Sequence, residues 1–215
     1  MHESAFRCIK KYLKITSTYV DLPHENQRLI TRSIVYNTDI EKGIECYVDS
    51  DFVGGWDQSD TDNAENSMSH VGYVKTYTGC PLLLCSKLQT KIAWITTEAE
   101  YIALNQAMRE VIPFMALMKE VYYIFDVHLP KLDVFCKLFL YNQSYIYVAY
   151  YDKLSPGTKH IPINYHHFRS SVKNKNIRMC YIVTREQTAD IFTKPLDKAL
   201  FVYLQRKLPL WCLKK

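Results

Sequence analysis

Long apolar stretches are missing from the sequence, and none approaches the roughly 20 consecutive residues that a membrane-spanning helix needs. The first residues, MHESAFRCIKKYLKI, contain neither the apolar core nor the small-residue cleavage site of a secretory leader. Low-complexity runs, which would favour a disordered tail, are also absent. These absences disfavour a membrane-spanning, secreted or disordered chain. They favour an intracellular protein, in a compartment that the sequence does not indicate.

The composition is that of a chain with a core. Its 215 residues are 48% apolar and 13% aromatic, which suits one large domain or one ordinary domain with a flanking piece. The seven cysteines are odd in number, scattered, and mostly embedded in apolar runs such as DVFCKLFL. This distribution favours reduced core cysteines over disulfides or zinc ligands.

Charge is unevenly distributed along the chain, although the formal net charge is only +5. From Lys153 to Arg178 there are six basic residues and no acid, whereas Asp39 to Glu65 contains nine acids and a single lysine. A solvated loop and a solvated helix face would explain both segments. Alternatively, the carboxylates hold cations while the basic segment meets nucleic-acid phosphates.

Periodicity predicts the first elements. An amphipathic helix is expected over residues 3–16 and a linker over residues 21–43, and residues 44–52 alternate as a strand. The segments HVGYVKTYT and PLLLCSKL predict a hairpin, and QTKIAWI is expected to extend its second arm.

A long helix is the strongest periodic signal. Its buried stripe follows steps of four and three residues and consists of Leu104, Met108, Val111, Met115, Met118, Tyr122 and Phe125. Pro113 should kink this helix. The segments LDVFCKLFLY and RMCYIVT then predict two strands, with a helical segment around residues 164–174 between them. Thr184 and Gln187 form a capping-box pattern that predicts a last short helix, TREQTADIFT. The order of elements indicates an α/β fold with a mixed sheet.

Three acids occupy positions where a functional role is plausible. Asp49 comes near the end of a strand, Glu100 lies on the buried stripe of the long helix, and Asp190 falls in the last short helix. A capping box with Thr97 is the structural alternative for Glu100, and an exposed helix position is the alternative for Asp190. If the three carboxylates converge, they could hold divalent ions that activate a water and stabilise the leaving oxygen of a phosphodiester.

The sequence resembles a known family through six blocks in a fixed order. They are YVDSDFVGGW, HVGYVKTYTGCPLLLCSKLQT, TTEAEYIALNQAMREVIPFM, LFLYNQSYI, GTKHIPINYHHFR and YIVTREQTADIFTKPL. Together they resemble the ribonuclease H region that closes the pol polyprotein of copia-type retrotransposons. The first helix, HESAFRCIKKYLKIT, is similar to the segment that joins the reverse transcriptase to this region.

The resemblance implies a ribonuclease H-like fold, which is a five-stranded mixed sheet with helices on its faces, preceded by an N-terminal connection helix. It divides the chain into a connection helix and linker (1–43), a ribonuclease H-like domain (44–195) and a C-terminal helix or tail (196–215). It implies cleavage of the RNA strand of RNA–DNA hybrids with two Mg²⁺ or Mn²⁺ ions. The implied partners are the hybrid and the reverse transcriptase portion of the same polyprotein. Matched motif by motif, the implied catalytic and metal-binding residues are Asp49, Glu100 and Asp190.

One position departs from the family pattern. Where the family has an aspartate before Asn-Gln-Ser, this sequence has Tyr141. A neutral phenol is a weak ligand for a hard cation. We therefore expect activity to fall by at least about 10²-fold, because losing residues that only support the metal ligands already lowers metal affinity or activity strongly. The alternative is a catalytically dead fragment that retains only hybrid binding. Asn142 and Asp51 are the candidates for a substitute ligand.

Further residues are candidates for contact with nucleic acid. Those expected to meet phosphates, with an exposed helix surface as the alternative, are Lys159, His160, Arg169, Lys173 and Lys175. Tyr73 and Trp94 are interpreted as core residues in preference to base-stacking platforms.

Overall fold

The computed structural model describes residues 39–54, 67–124, 135–142, 146, 150 and 168–208. Within them, one five-stranded mixed sheet has the order β3-β2-β1-β4-β5. Its strands are β1 (Ile44–Asp51), β2 (His70–Tyr77), β3 (Cys80–Leu88), β4 (Cys136–Leu140) and β5 (Ile177–Tyr181). The first three strands pair antiparallel, whereas β1 with β4 and β4 with β5 pair parallel. The expected five-stranded mixed sheet is confirmed.

The α-helices whose bounds are described are α1 (Thr96–Ile124), α2 (Arg169–Lys173) and α3 (Lys198–Lys207). The predicted long helix is α1, and Leu104, Met108, Val111 and Met115 of its stripe are buried. The helix continues through Pro113. Phe125, at the end of the predicted stripe, lies outside the described residues.

The sheet carries a hydrophobic core on each face. Side chains alternate between faces along a strand, and accordingly Val48 belongs to the larger core whereas its neighbour Tyr47 belongs to the smaller one. The stripe of α1 fills the larger core. On the other face, a 3-10 helix (Thr188–Phe192) and Leu208 cover the strands. There Tyr47 stacks on Phe139 of β4, with 4.6 Å between the ring centroids.

One local prediction is wrong, and two others are met in altered form. The segment QTKIAWI does not extend the hairpin, because β3 ends at Leu88 and the Gln89 side chain then donates to the Ala99 carbonyl of α1 at 2.6 Å. The short helix expected over TREQTADIFT is found as two 3-10 helices, Thr184–Glu186 and Thr188–Phe192. The helix expected around residues 164–174 is found in part, as α2.

Several expectations concern residues outside the described ranges. These are the helix over residues 3–16 and nearly all of the linker over residues 21–43. The five described cysteines are free, as expected, although only Cys46 and Cys136 are fully buried. In the described part of the chain, no helix combines the length and the apolar character needed to cross a membrane.

Candidate active site

Asp49 lies on the central strand β1, two residues before its end, and is buried. Its neighbour in the antiparallel pair is Gly72 of β2. A Cβ atom at Gly72 would stand 2.6 Å from Cγ2 of Thr193 and 2.9 Å from the carbonyl oxygen of Ala189. The absence of a side chain therefore lets residues 189–193 approach the strand closely. As a result, the Thr193 hydroxyl donates a hydrogen bond to Oδ2 of Asp49.

Asp190 is held over the same strand by Gln187, which is fully buried. The Gln187 side-chain amide donates to the carbonyl oxygens of Val48 at 3.0 Å and of Phe139 at 3.4 Å. Its own oxygen accepts from the Ala189 amide at 3.4 Å, which caps the 3-10 helix that carries Asp190. Gln187 therefore ties β1 and β4 to this helix, and the expected cap by Thr184 does not form.

Lys194 links the two aspartates. Its ammonium nitrogen lies 3.0 Å from Oδ2 of Asp49 and 3.4 Å from Oδ1 of Asp190. The Lys194 side chain is 28% exposed, whereas the Asp49 and Asp190 side chains are 0% and 2% exposed. A buried carboxylate pair would repel strongly without a counterion, so Lys194 makes their proximity tolerable. Sequence reasoning missed Lys194, although the spacing of four residues from Asp190 favours such an ion pair.

Glu100 enters from the first turns of α1 and is buried. The Tyr141 hydroxyl, one residue beyond the end of β4, donates to Oε1 of Glu100. The Asn142 amide donates to Oε2 at 3.3 Å. Glu100 does not form the capping box expected with Thr97, because α1 begins at Thr96 and the Glu100 oxygens accept from Tyr141 and Asn142. Glu98 accepts the Trp94 amide at 2.8 Å.

One connected network joins these groups. The Lys194 ammonium lies 5.3 Å from the centroid of the Tyr141 ring. A small pocket brings Asp49 and Glu100 into one lining, together with Val48, Leu140, Tyr141 and Asn142. Across the described ranges, no three His, Cys, Asp or Glu side chains are grouped as ligands of one metal ion. The oxygens of Glu100 face Tyr141 and Asn142, while the two aspartates share Lys194.

The electrostatics of the network follow from burial and from the density of charge. Burial raises the pKa of Glu100 to about 7, and the Asp49 charge adds to this effect while the Tyr141 hydrogen bond opposes it. Burial and the Asp49 charge raise the pKa of Asp190 to about 7 as well. Burial acts to lower the pKa of Lys194, but the two aspartates outweigh it and hold that pKa above its ordinary value. Burial and the Glu100 contact raise the pKa of Tyr141, so this phenol is neutral near pH 7.

The two candidate substitute ligands differ in position, because Asn142 lines the pocket beside Asp49 whereas Asp51 lies against Gly54. The Asp51 carboxylate lies against Gly54, so closely that a Cβ there would overlap it. The Asn142 side chain presents its amide hydrogens to Glu100.

The residues expected to meet phosphates are only partly described. Lys173 and Lys175 are exposed at the end of α2 and just beyond it. Arg169 is half-buried and hydrogen-bonds the buried Tyr101 side chain. Lys159 and His160 lie outside the described residues. Contact of this group with nucleic acid stays a prediction.

The two aromatic residues interpreted as core behave differently. Tyr73 is buried, as expected. Trp94 is 84% exposed, so its assignment to the core is wrong. It lies in the segment between the end of β3 and the start of α1, outside the sheet.

Curated proteins similar to the chain include retrovirus-related Pol polyproteins from plant transposons. The chain is 32% identical over 155 residues to that of transposon TNT 1-94 from Nicotiana tabacum, which covers 72% of the chain. It is 27% and 26% identical over 165 residues to those of transposons RE2 and RE1 from Arabidopsis thaliana, covering 77% of the chain. The chain spans about a tenth (10%) of the length of each of these relatives. No protein-family model matches the chain.

Two solved structures were found to be similar. One is the N-terminal RNase H domain of a Mycobacterium tuberculosis protein, determined as a fusion with maltose-binding protein. It has a TM-score of 0.46 and 8% identity, and the match covers 76% of this chain and 96% of that domain. The other is LC11-RNase H1, isolated from compost by a metagenomic approach. It has a TM-score of 0.44 and 16% identity, and the match covers 71% of this chain and 93% of that protein.

Proposed function

The chain is homologous to a segment of the retrovirus-related Pol polyproteins of plant transposons and has a ribonuclease H-like fold, and from this premise we propose that it is a weakened, metal-dependent ribonuclease for RNA–DNA hybrids. The observation that carries the proposal is the connected network of Asp49, Glu100 and Asp190. These acids come from a strand, an α-helix and a 3-10 helix. Asp49 and Asp190 both contact Lys194, Glu100 accepts a hydrogen bond from Tyr141, and the Tyr141 ring lies beside Lys194. Three buried acids in one network are costly to a fold, and such clusters are typical of functional sites.

The donor set fits a divalent cation through two of the acids. Asp49 and Asp190 already share one cation, the Lys194 ammonium, and carboxylate oxygens are the ligands that Mg²⁺ and Mn²⁺ prefer. Asp49 and Asp190 would hold the ion, and Glu100 would join them once released from Tyr141. When bound, the ion would supply an activated water and a positive charge beside the phosphodiester.

Tyr141 weakens the site in two ways. Its neutral hydroxyl donates to Glu100, so one carboxylate oxygen is engaged at the position where an additional acid is expected. Its ring also lies beside Lys194 and lines the pocket next to Asp49. We therefore propose hydrolysis at least about 10²-fold slower than with an aspartate at this position.

A test of this proposal compares hydrolysis of a labelled RNA–DNA hybrid by the unaltered chain and by Tyr141→Asp, with Mg²⁺ and with Mn²⁺. Tyr141→Asp should cleave at least about 10²-fold faster. Tyr181→Asp is the matched control, because Tyr181 ends the neighbouring strand β5 and is 51% exposed. A further Asp49→Asn substitution in Tyr141→Asp should abolish the gain, which excludes a contaminating nuclease. Cleavage by the unaltered chain as fast as by Tyr141→Asp would contradict the role given to Tyr141.

The second candidate function is hybrid binding without cleavage. It is favoured by the occupied oxygens of Glu100 and by the ammonium that stands between the two aspartates. Binding that persists in Tyr141→Asp without any cleavage would favour this second function. In either case we propose that the reverse transcriptase portion of the polyprotein is the physical partner of this segment.

A further inference from the structure

Trp94 is the most exposed large apolar side chain in the described part of the protein. It is 84% exposed, whereas the other exposed large hydrophobic residues range from 38% to 53%. Burying a tryptophan contributes strongly to stability, and a chain that leaves one in water forgoes that contribution. Its neighbours Ile92 and Ile95 are also exposed, at 48% and 38%. Contiguous exposed apolar residues of this kind mark interaction sites.

The backbone that carries Trp94 is held on both sides. Upstream, the Gln89 amide donates to the Ser69 carbonyl at 2.8 Å, and its side chain donates to Ala99 at 2.6 Å. At Trp94 itself, the amide donates to the Glu98 carboxylate at 2.8 Å. The exposed ring is therefore presented by an anchored segment and is not part of a frayed end.

The position of Trp94 connects it to the candidate active site. The segment 89–95 leads directly into α1, whose second turn carries Glu100, six residues after Trp94. Trp94 and Glu100 are therefore near neighbours along the chain, on the segment that enters α1.

The surrounding charge suits a polyanion. From residue 79 to residue 95 the chain contains Lys87 and Lys91 and no acidic residue, and the next acid, Glu98, is buried and accepts the Trp94 amide. Both lysine side chains are exposed. An aromatic ring with flanking lysines is the combination by which proteins hold unpaired nucleic-acid strands, through base stacking and phosphate neutralisation.

We propose that Trp94 is a stacking platform for an unpaired base, and that Lys87 and Lys91 face the phosphates of the same single strand. The occupant is a single-stranded extension that adjoins the hybrid, because a base inside a duplex has no free face for the ring. This inference rests on the proposed function, since it places the extension next to a hybrid in the candidate active site.

The experiment measures binding of two hybrids in EDTA by the full chain, one blunt and one with a short single-stranded extension. Trp94→Ala should weaken binding of the extended hybrid by about 5- to 150-fold, as expected for the loss of one stacked base. It should leave binding of the blunt hybrid unchanged. Trp94→Phe should retain most of the affinity. Leu117→Ala, which removes a 53% exposed apolar side chain of α1, is the matched control and should change neither affinity.

The salt dependence separates stacking from charge. Lys87→Gln and Lys91→Gln should each make the salt dependence of binding shallower, whereas Trp94→Ala should leave its slope unchanged. If the blunt hybrid binds normally and Trp94→Ala has no effect on the extended hybrid, the stacking proposal fails while the proposed function stands. If neither hybrid binds the unaltered chain, both fail.

Fluorescence gives an independent readout. In a Trp56→Phe, Trp211→Phe variant, the emission of Trp94 should be accessible to acrylamide and should be quenched by the single-stranded extension. Protection of Trp94 from acrylamide in the free protein would overturn the proposal, since the ring would then be covered by another part of the chain or by a second copy.

Discussion

Replacing Lys194 with methionine removes the ammonium that Asp49 and Asp190 share. Breaking a buried ion pair by removing one partner costs about 3–5 kcal/mol, because a charge is left buried without compensation. Here the lysine side chain is 28% exposed while both carboxylates are almost fully buried. Water therefore screens part of the interaction, and we expect Lys194→Met to lower the free energy of unfolding by about 2–4 kcal/mol at pH 8.

The cost of this substitution should depend on pH in a definite direction. The pKa of Asp190 is already raised to about 7 by burial and by Asp49, and Lys194 opposes that rise. Without the ammonium the pKa of Asp190 rises further, so the carboxyl group takes up a proton more readily as the pH falls. Protonation removes the repulsion, and the destabilisation should therefore shrink from pH 8 to pH 5.

Urea unfolding at several pH values measures the effect, with Lys198→Met as the control because Lys198 is exposed at the start of α3. If the two aspartates bind Mg²⁺, the ion should also replace the missing charge. At about 100 times its dissociation constant it should restore about 2.7 kcal/mol. Equal unfolding midpoints for Lys194→Met and Lys198→Met at pH 8 would refute the role given to this ammonium.

Two further predictions concern stability. Because the folded pKa of Glu100 is about 7 and its ordinary value is 4.5, the folded state retains this proton between those values. The free energy of unfolding should thus fall as the pH rises from about 4.5 to 7; Glu100→Gln should flatten this fall in urea titrations, and an unchanged slope would contradict the assigned pKa. Gly72→Ala should destabilise the fold by about 1–3 kcal/mol, because the added Cβ would stand 2.6 Å from Thr193. Calorimetry would check this, and an unchanged melting temperature would show that residues 189–193 shift to accommodate the added Cβ without loss of stability.

The regular elements could be predicted because their patterns are local. Alternation and the Gly79 turn define the β2–β3 hairpin, and steps of three and four residues define α1. The prediction failed at Gln187, which was expected to form a capping box with Thr184. In the folded chain this side chain donates to Val48 and Phe139 carbonyls of two strands, and a 3-10 helix follows. Contacts of that kind have no local signature.

Trp94 is a second residue whose environment the local pattern did not predict, because it is exposed where burial was expected. Its apolar character and its place after a strand pattern favoured the core. Burial depends on whether another element covers a side chain, and the chain turns into α1 instead of continuing β3. Exposure is a property of the packed molecule, so composition cannot report it.

The amino-acid sequence alone determined the order of the elements, the family resemblance, the three candidate acids and the unusual Tyr141. Only the tertiary structure decided how those groups are paired: Glu100 with Tyr141, and Asp49 with Asp190 through Lys194. Asp49 and Lys194 are separated by 145 residues in the chain. Periodicity reports which side of an element faces the core, but a contact between residues so far apart is set by the packing of whole elements against one sheet.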